Sequence, residues 1–128
     1  MLDRVEEVNV EVPSLVASAK VPQTSPVFEG HFPGHPLMPG VLLLETMAQA
    51  AGYLLLSVDG FSRMPFFASA KEANFRAFVR PGACCAITSP PENREEVSPW
   101  LARFYIRAFE RPPGGWCNCH FSPIAAVG

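Results

Sequence analysis

The chain is 128 residues long, which favours a single domain, 1–128, able to bury a true core. Apolar residues make up 48% and charged residues 17%, a balance that excludes a disordered chain. A formal net charge of −2 leaves no general basic field for nucleic acid, and 14 prolines argue against an all-helical bundle.

The opening, MLDRVEEVNVE, is acidic and lacks the apolar run of a signal peptide, so a cytoplasmic protein is expected. Val8, Val10 and Val12 alternate with Asn9 and Glu11, the pattern of a half-buried strand. After a turn at Pro13-Ser14, Leu15, Ala17, Ala19 and Val21 alternate in the same way, with Val16 out of step. Together they predict an antiparallel hairpin.

Residues 22–40, PQTSPVFEGHFPGHPLMPG, hold five prolines and three glycines, so regular structure is not expected. A connection of that length in a compact domain is usually functional. Val27, Phe28, Phe32, Leu37 and Met38 argue that it packs rather than floats.

Val41 to Ser57 is rich in Leu, Ala, Met, Glu and Gln, with Pro39-Gly40 before it and Asp59-Gly60 after it. Those are the composition and the boundary signals of a helix. It is apolar nearly all round, interrupted by Glu45, Thr46 and Gln49, which predicts a wholly buried helix. Its apolar run, Val41 to Leu56, has 16 residues and includes Glu45 and Gln49, short and wrong in content for a membrane span.

Strand signals return at Phe66, Ala68, Ala70 and again at Phe75, Ala77, Val79. Pro81-Gly82 is a turn, 83–88 a short strand, 100–109 a longer alternating strand, 111–115 (RPPGG) a turn and 117–121 a last strand. The expected class is α+β, with one long helix embedded in five or six antiparallel strands. Cys84-Cys85 and Cys117-x-Cys119 lack the usual zinc spacing, and neighbouring strand residues face opposite ways, so neither a metal nor a cofactor is signalled.

The chemistry concentrates between Phe28 and Gly52. His31 and His35 sit in the Pro/Gly loop, and Glu45 lies on the apolar helix with Gln49 one turn beyond. A carboxyl group on an apolar helix is costly unless paired or protonated, and burial favours its neutral form. Gly40, at the helix start, carries an N–H with no intrahelical partner, where a carbonyl oxygen gaining charge can be held. A base, an acid and an oxyanion donor within 15 residues suit proton abstraction beside a carbonyl. Each residue alone also has an ordinary reading: a loop histidine that only hydrogen-bonds, a glutamate at an interface or exposed stripe.

The run GHFPGHPLMPGVLLLETMAQAAG closely resembles the signature of the 3-hydroxyacyl-acyl-carrier-protein dehydratases of FabZ type. FRAFVRPG (75–82) looks like that family's strand and turn after the helix, and residues 4–25 fit its opening hairpin. The resemblance implies a hot-dog fold, an antiparallel sheet wrapped around one long buried helix. It implies that His31, fourteen residues before Glu45, is the catalytic base, that Glu45 is the acid, and that His35 is neither. Glu45 rather than Asp favours plain dehydration over dehydration with isomerisation. Gly40 matches the residue whose N–H binds the thioester carbonyl, and Gln49 one that hydrogen-bonds the acid or a water.

The same resemblance implies no cofactor, an acyl carrier protein as partner, and a homodimer whose sites draw the histidine and the acid from different subunits, often as a trimer of dimers. Residues 1–62 sum to −5 and residues 63–128 to +3, with eight of ten basic residues arginine. Arg76, Arg80, Arg103 and Arg107 are therefore candidates for docking an acidic carrier. The likeness weakens after Cys84, where SPPENREEVSP (89–99) and SPIAAVG (122–128) replace longer regular strands. A hot-dog thioesterase and a catalytically inactive acyl-binding module are the alternatives.

Overall fold

The computed structural model describes residues 1–70, 73–75, 77–89, 101–102, 105–109, 116–119 and 124–127. Arg76, Arg103, the turn expected at 111–115 and the segment 90–100 lie outside these residues.

Strands β1 (Arg4–Asn9) and β2 (Ser14–Lys20) form the expected antiparallel hairpin, with a bulge between Val5 and Glu7. The first strand stops earlier than its valine alternation predicts. The Asn9 carboxamide oxygen accepts the N–H groups of Glu11 and Val12, each at 3.0 Å, and so folds the chain into a turn. Val10 and Val12 are exposed as a result. On β2, Leu15, Ala17 and Ala19 point into the core and Val16 points out.

The proline-rich connection is not wholly irregular. Pro26 pre-sets one helical turn, α1 (Val27–Gly30), which buries Phe28. Leu37 and Met38 are half-buried, but Val27 and Phe32 stay exposed, contrary to their expected burial.

Helix α2 (Gly40–Val58) matches the expected span closely. Leu43, Met47, Ala50, Ala51 and Leu54 face the core, where they meet β2 and the strands beyond it. Buried Thr46 returns its hydroxyl to the Leu42 carbonyl at 2.8 Å. The helix is not buried all round, however. Val41, Glu45 and Tyr53 are exposed along one i, i+4 row, with Gln49 half-buried among them. Among the described residues, the two sheets cover only one side of it. With 19 residues and a mean hydropathy of 1.6, the helix is long and apolar enough to cross a membrane by length and composition alone. In this fold its apolar core-facing side packs against strands of both sheets.

At the helix C-terminus, Asp59 accepts from Arg63 Nη2 at 2.7 Å and from the Ser62 hydroxyl. Arg63 first and Ser62 second hold the Asp59 carboxyl at about 2, below its ordinary 3.8. A depressed acid stabilises the fold above its unfolded value and loses that contribution as pH falls through the folded value. Asp59→Asn should therefore lower the thermal midpoint slightly at pH 7, and the gap to the parent should close as pH falls from about 4 to about 2. Melting curves across that range check it; a gap that persists at the acid end contradicts the pairing.

Strands β3 (Phe66–Ala70), β4 (Cys84–Ser89), β5 (Leu101–Ala102), β6 (Tyr105–Phe109), β7 (Trp116–Cys119) and β8 (Ile124–Val127) complete the described elements. They form a five-stranded sheet, β1-β2-β4-β6-β7, and a three-stranded one, β3-β8-β5, antiparallel throughout. Cys84 is exposed and Cys85 buried, as neighbours on a strand must be.

Three strand expectations need correction. Residues 77–80 carry no strand: Val79 is buried and its carbonyl accepts the Met38 N–H at 2.7 Å, so it anchors the loop instead of a ladder. The single strand expected at 100–109 is two, β5 and β6, in different sheets. The unusual ending SPIAAVG, beyond the last strand expected, contains β8, the middle strand of the smaller sheet. The α+β hot-dog arrangement stands: strands of both sheets pack against α2.

Candidate active site

His31 sits directly after α1, at the entrance to a tight turn. In Phe32-Pro33-Gly34-His35, the His35 N–H donates to the Phe32 carbonyl at 2.9 Å. Proline second and Gly34 third, with a φ of +78°, are what a type II turn requires. The His31 carbonyl accepts the Leu37 N–H at 3.0 Å, which closes the loop behind the turn. The half-buried imidazole lies against the Phe32 ring, with centroids 4.6 Å apart, and the His31–Phe32 peptide is cis. His35 is exposed on the far side of the turn.

Gly40 is the first residue of α2. Among the described residues, nothing accepts its N–H or that of Val41. Those two donors sit at the positive end of a 19-residue helix, which favours negative charge. The Phe75 ring presses on Gly40, and a Cβ there would lie 2.6 Å from it. A side chain there would have to displace the Phe75 ring, which is itself 47% exposed, and Phe75 is a neighbour that no sequence spacing signals.

One turn along, Glu45 faces outward, exposed in the isolated chain, against the expected burial in an apolar setting. Gln49 donates its amide N–H to Glu45 Oε1 at 3.3 Å, the i, i+4 pairing read from the sequence. Its own carbonyl oxygen accepts the Leu2 N–H at 3.1 Å, a contact that the sequence gives no means of finding. A cleft of about 530 Å³ opens beside the His31 turn along Gln23, Ser25, Glu29 and Pro36, but neither His31 nor Glu45 is among its described walls. Of the four arginines, Arg80 is exposed, Arg107 falls on β6, and Arg76 and Arg103 lie outside the described residues.

A helix-start donor, a helix carboxyl group with an amide beside it, and a loop histidine are groups of the kind that bind a carbonyl oxygen and move protons. The structure joins Glu45 to Gln49, and no described contact joins His31 to Gly40 or Glu45. The family model described as a FabA-like domain matches residues 1–88, more than half of the chain. The chain belongs to the FabA-like family. The stretch matched contains His31, Gly40, Glu45 and Gln49. Among curated FabA-like relatives, a "3-hydroxyacyl-[acyl-carrier-protein] dehydratase FabZ" from Lactiplantibacillus plantarum is 44% identical over 82 residues, 63% of this chain and 55% of the relative. One of the same name from Chlamydia caviae is 46% identical over 85 residues, 64% of this chain and 55% of the relative. The chain thus spans about half the length of the curated relatives it matches.

Solved structures add the fold. The dehydratase heterocomplex ApeI:P from Xenorhabdus doucetiae superposes with a TM-score of 0.70 at 19% identity, covering 100% of this chain and 97% of that one. An uncharacterized protein from Erwinia carotovora gives 0.65 at 18% identity, with 99% and 92% covered. At such identities the likeness concerns the FabA-like architecture alone.

Proposed function

We propose that residues 1–128 form a single dehydratase domain that converts a 3-hydroxyacyl thioester on acyl carrier protein into the trans-2-enoyl thioester and water, within fatty acid or related lipid biosynthesis. The observation that carries this reading is the match of residues 1–88, which hold all four candidate site residues, together with relatives named for that reaction.

An unprotonated nitrogen of His31 takes the C2 proton of the substrate. The Gly40 N–H holds the thioester oxygen as it gains charge. Glu45, carrying its proton, delivers it to the 3-hydroxyl as the C3–O bond breaks, and the hydroxyl leaves as water. Exchange with solvent then returns His31 to its neutral form and Glu45 to its acid form.

This chemistry needs Glu45 out of bulk water. Its exposure in the protomer, along a helix row with apolar Val41 and Tyr53, supports a second copy as the cover. The working unit is then a homodimer in which His31 acts with the partner subunit's Glu45, with a trimer of dimers as a larger form. A cytoplasmic location accords with an acyl-carrier substrate.

The test follows enoyl absorbance with 3-hydroxyacyl and 2-enoyl carrier substrates while free thiol is titrated. Interconversion of the two without thiol release is the expected result. Thiol release assigns a thioesterase, and binding without turnover assigns an acyl-binding module. In the same assay, added salt should raise KM for the carrier-bound substrate more than for a small thioester if the arginines of the basic half dock the acidic carrier.

A further inference from the structure

The Gln49 side chain has its polar atoms committed within the protomer. Its oxygen takes the Leu2 N–H at 3.1 Å. Its nitrogen donates to Glu45 Oε1 at 3.3 Å and lies 3.5 Å from the Met1 sulfur. Turning the amide over would set its NH2 against the Leu2 N–H and its oxygen against the Glu45 carboxyl group. The donor–donor contact with Leu2 would then be repulsive whether or not Glu45 carries its proton. The Leu2 N–H therefore decides which way the amide points.

That donor is itself held in place. The Asp3 N–H donates to the Ser18 carbonyl at 3.0 Å, and the Lys20 N–H to the Asp3 carboxylate at 2.6 Å. The Leu2 side chain packs against the core. The segment thus runs into β1 from a fixed start, across the outward row of α2.

We infer that the main chain at Leu2 is a positioning element for the acid: by locking the Gln49 amide it fixes one oxygen of Glu45 and leaves the other for the substrate hydroxyl. The inference rests on the dehydratase reading and deepens it. Leu2 touches no substrate; it acts through Gln49.

Leu2→Pro removes the N–H. It should lower kcat about tenfold, the worth of roughly one hydrogen bond, with KM little changed. Gln49→Leu should do the same, and the double variant should be no slower than Gln49→Leu alone. Val5→Ala, which trims another core-packed residue near the N-terminus, controls for lost stability and should keep kcat. Multiplicative losses in the double variant, or an equal fall in Val5→Ala, overturn the proposal.

Exchange of the Gln49 side-chain amide protons, followed by NMR, gives a readout that does not depend on turnover. Slow exchange in the parent and Val5→Ala with fast exchange in Leu2→Pro supports the lock. Fast exchange in the parent overturns it. A parent with slow exchange but no dehydration defeats the functional reading and the catalytic role while leaving the lock itself in place.

Discussion

His31→Ala should lower turnover in the proposed dehydration by about 10²–10⁴-fold, the range for loss of a positioned general base. The fold should survive, because His31 is half-buried in a turn whose bonds are made by backbone atoms. Glu45→Gln should cost as much, since it keeps the shape and removes the proton to be delivered. The two together should be little worse than either alone, because the groups act on one elimination. Initial rates of enoyl formation measure all of this. Near-parental turnover in either single variant defeats the assignment.

The second large effect is on stability. Met47 is fully buried on the core face of α2, among Leu43, Ala50, Ala51 and Leu54. Met47→Ala leaves a cavity between the helix and the sheet and should cost about 2–5 kcal/mol in denaturant unfolding. Val16→Ala, on the exposed side of β2, should cost under about 1 kcal/mol. Equal losses at the two positions would contradict the arrangement of the core.

What the sequence disclosed follows from how local each signal is. The helix was legible because its composition and its Pro-Gly and Asp-Gly boundaries lie within a few residues of one another. Strand β2 was legible because one of its faces is buried, which writes an alternation into it. Val10 and Val12 misled because Asn9 captures the following N–H groups, a local bond that hydrophobic periodicity does not register. Val79 misled because its burial serves the loop carrying Met38 rather than a strand. The break between β5 and β6 is a change of sheet, which alternation alone cannot express.

The site divides along the same line. His31, Gly40, Glu45 and Gln49 fall within one short stretch, so their spacing and the resemblance exposed them together. The Gln49–Glu45 bond was readable from helix geometry. Phe75 against Gly40 and Leu2 against Gln49 join residues 35 or more positions apart, and only the fold brings them into contact. The exposure of Glu45 is likewise a property of the tertiary arrangement. An apolar helix composition states how much surface must be covered, not which polypeptide covers it.

Strand β8 completes a sheet whose other members, β3 and β5, come earlier in the chain. Phe66 pairs with Val127, so this ladder closes across some sixty residues, whereas β1 and β2 meet through a four-residue turn. Loop-closure entropy makes the first kind of contact slow to find and the second fast. The hairpin and the helix that bears Glu45 can therefore organise early, while the smaller sheet, like the β2–β4 ladder that joins Leu15 to Ser89, waits for partners far along the chain.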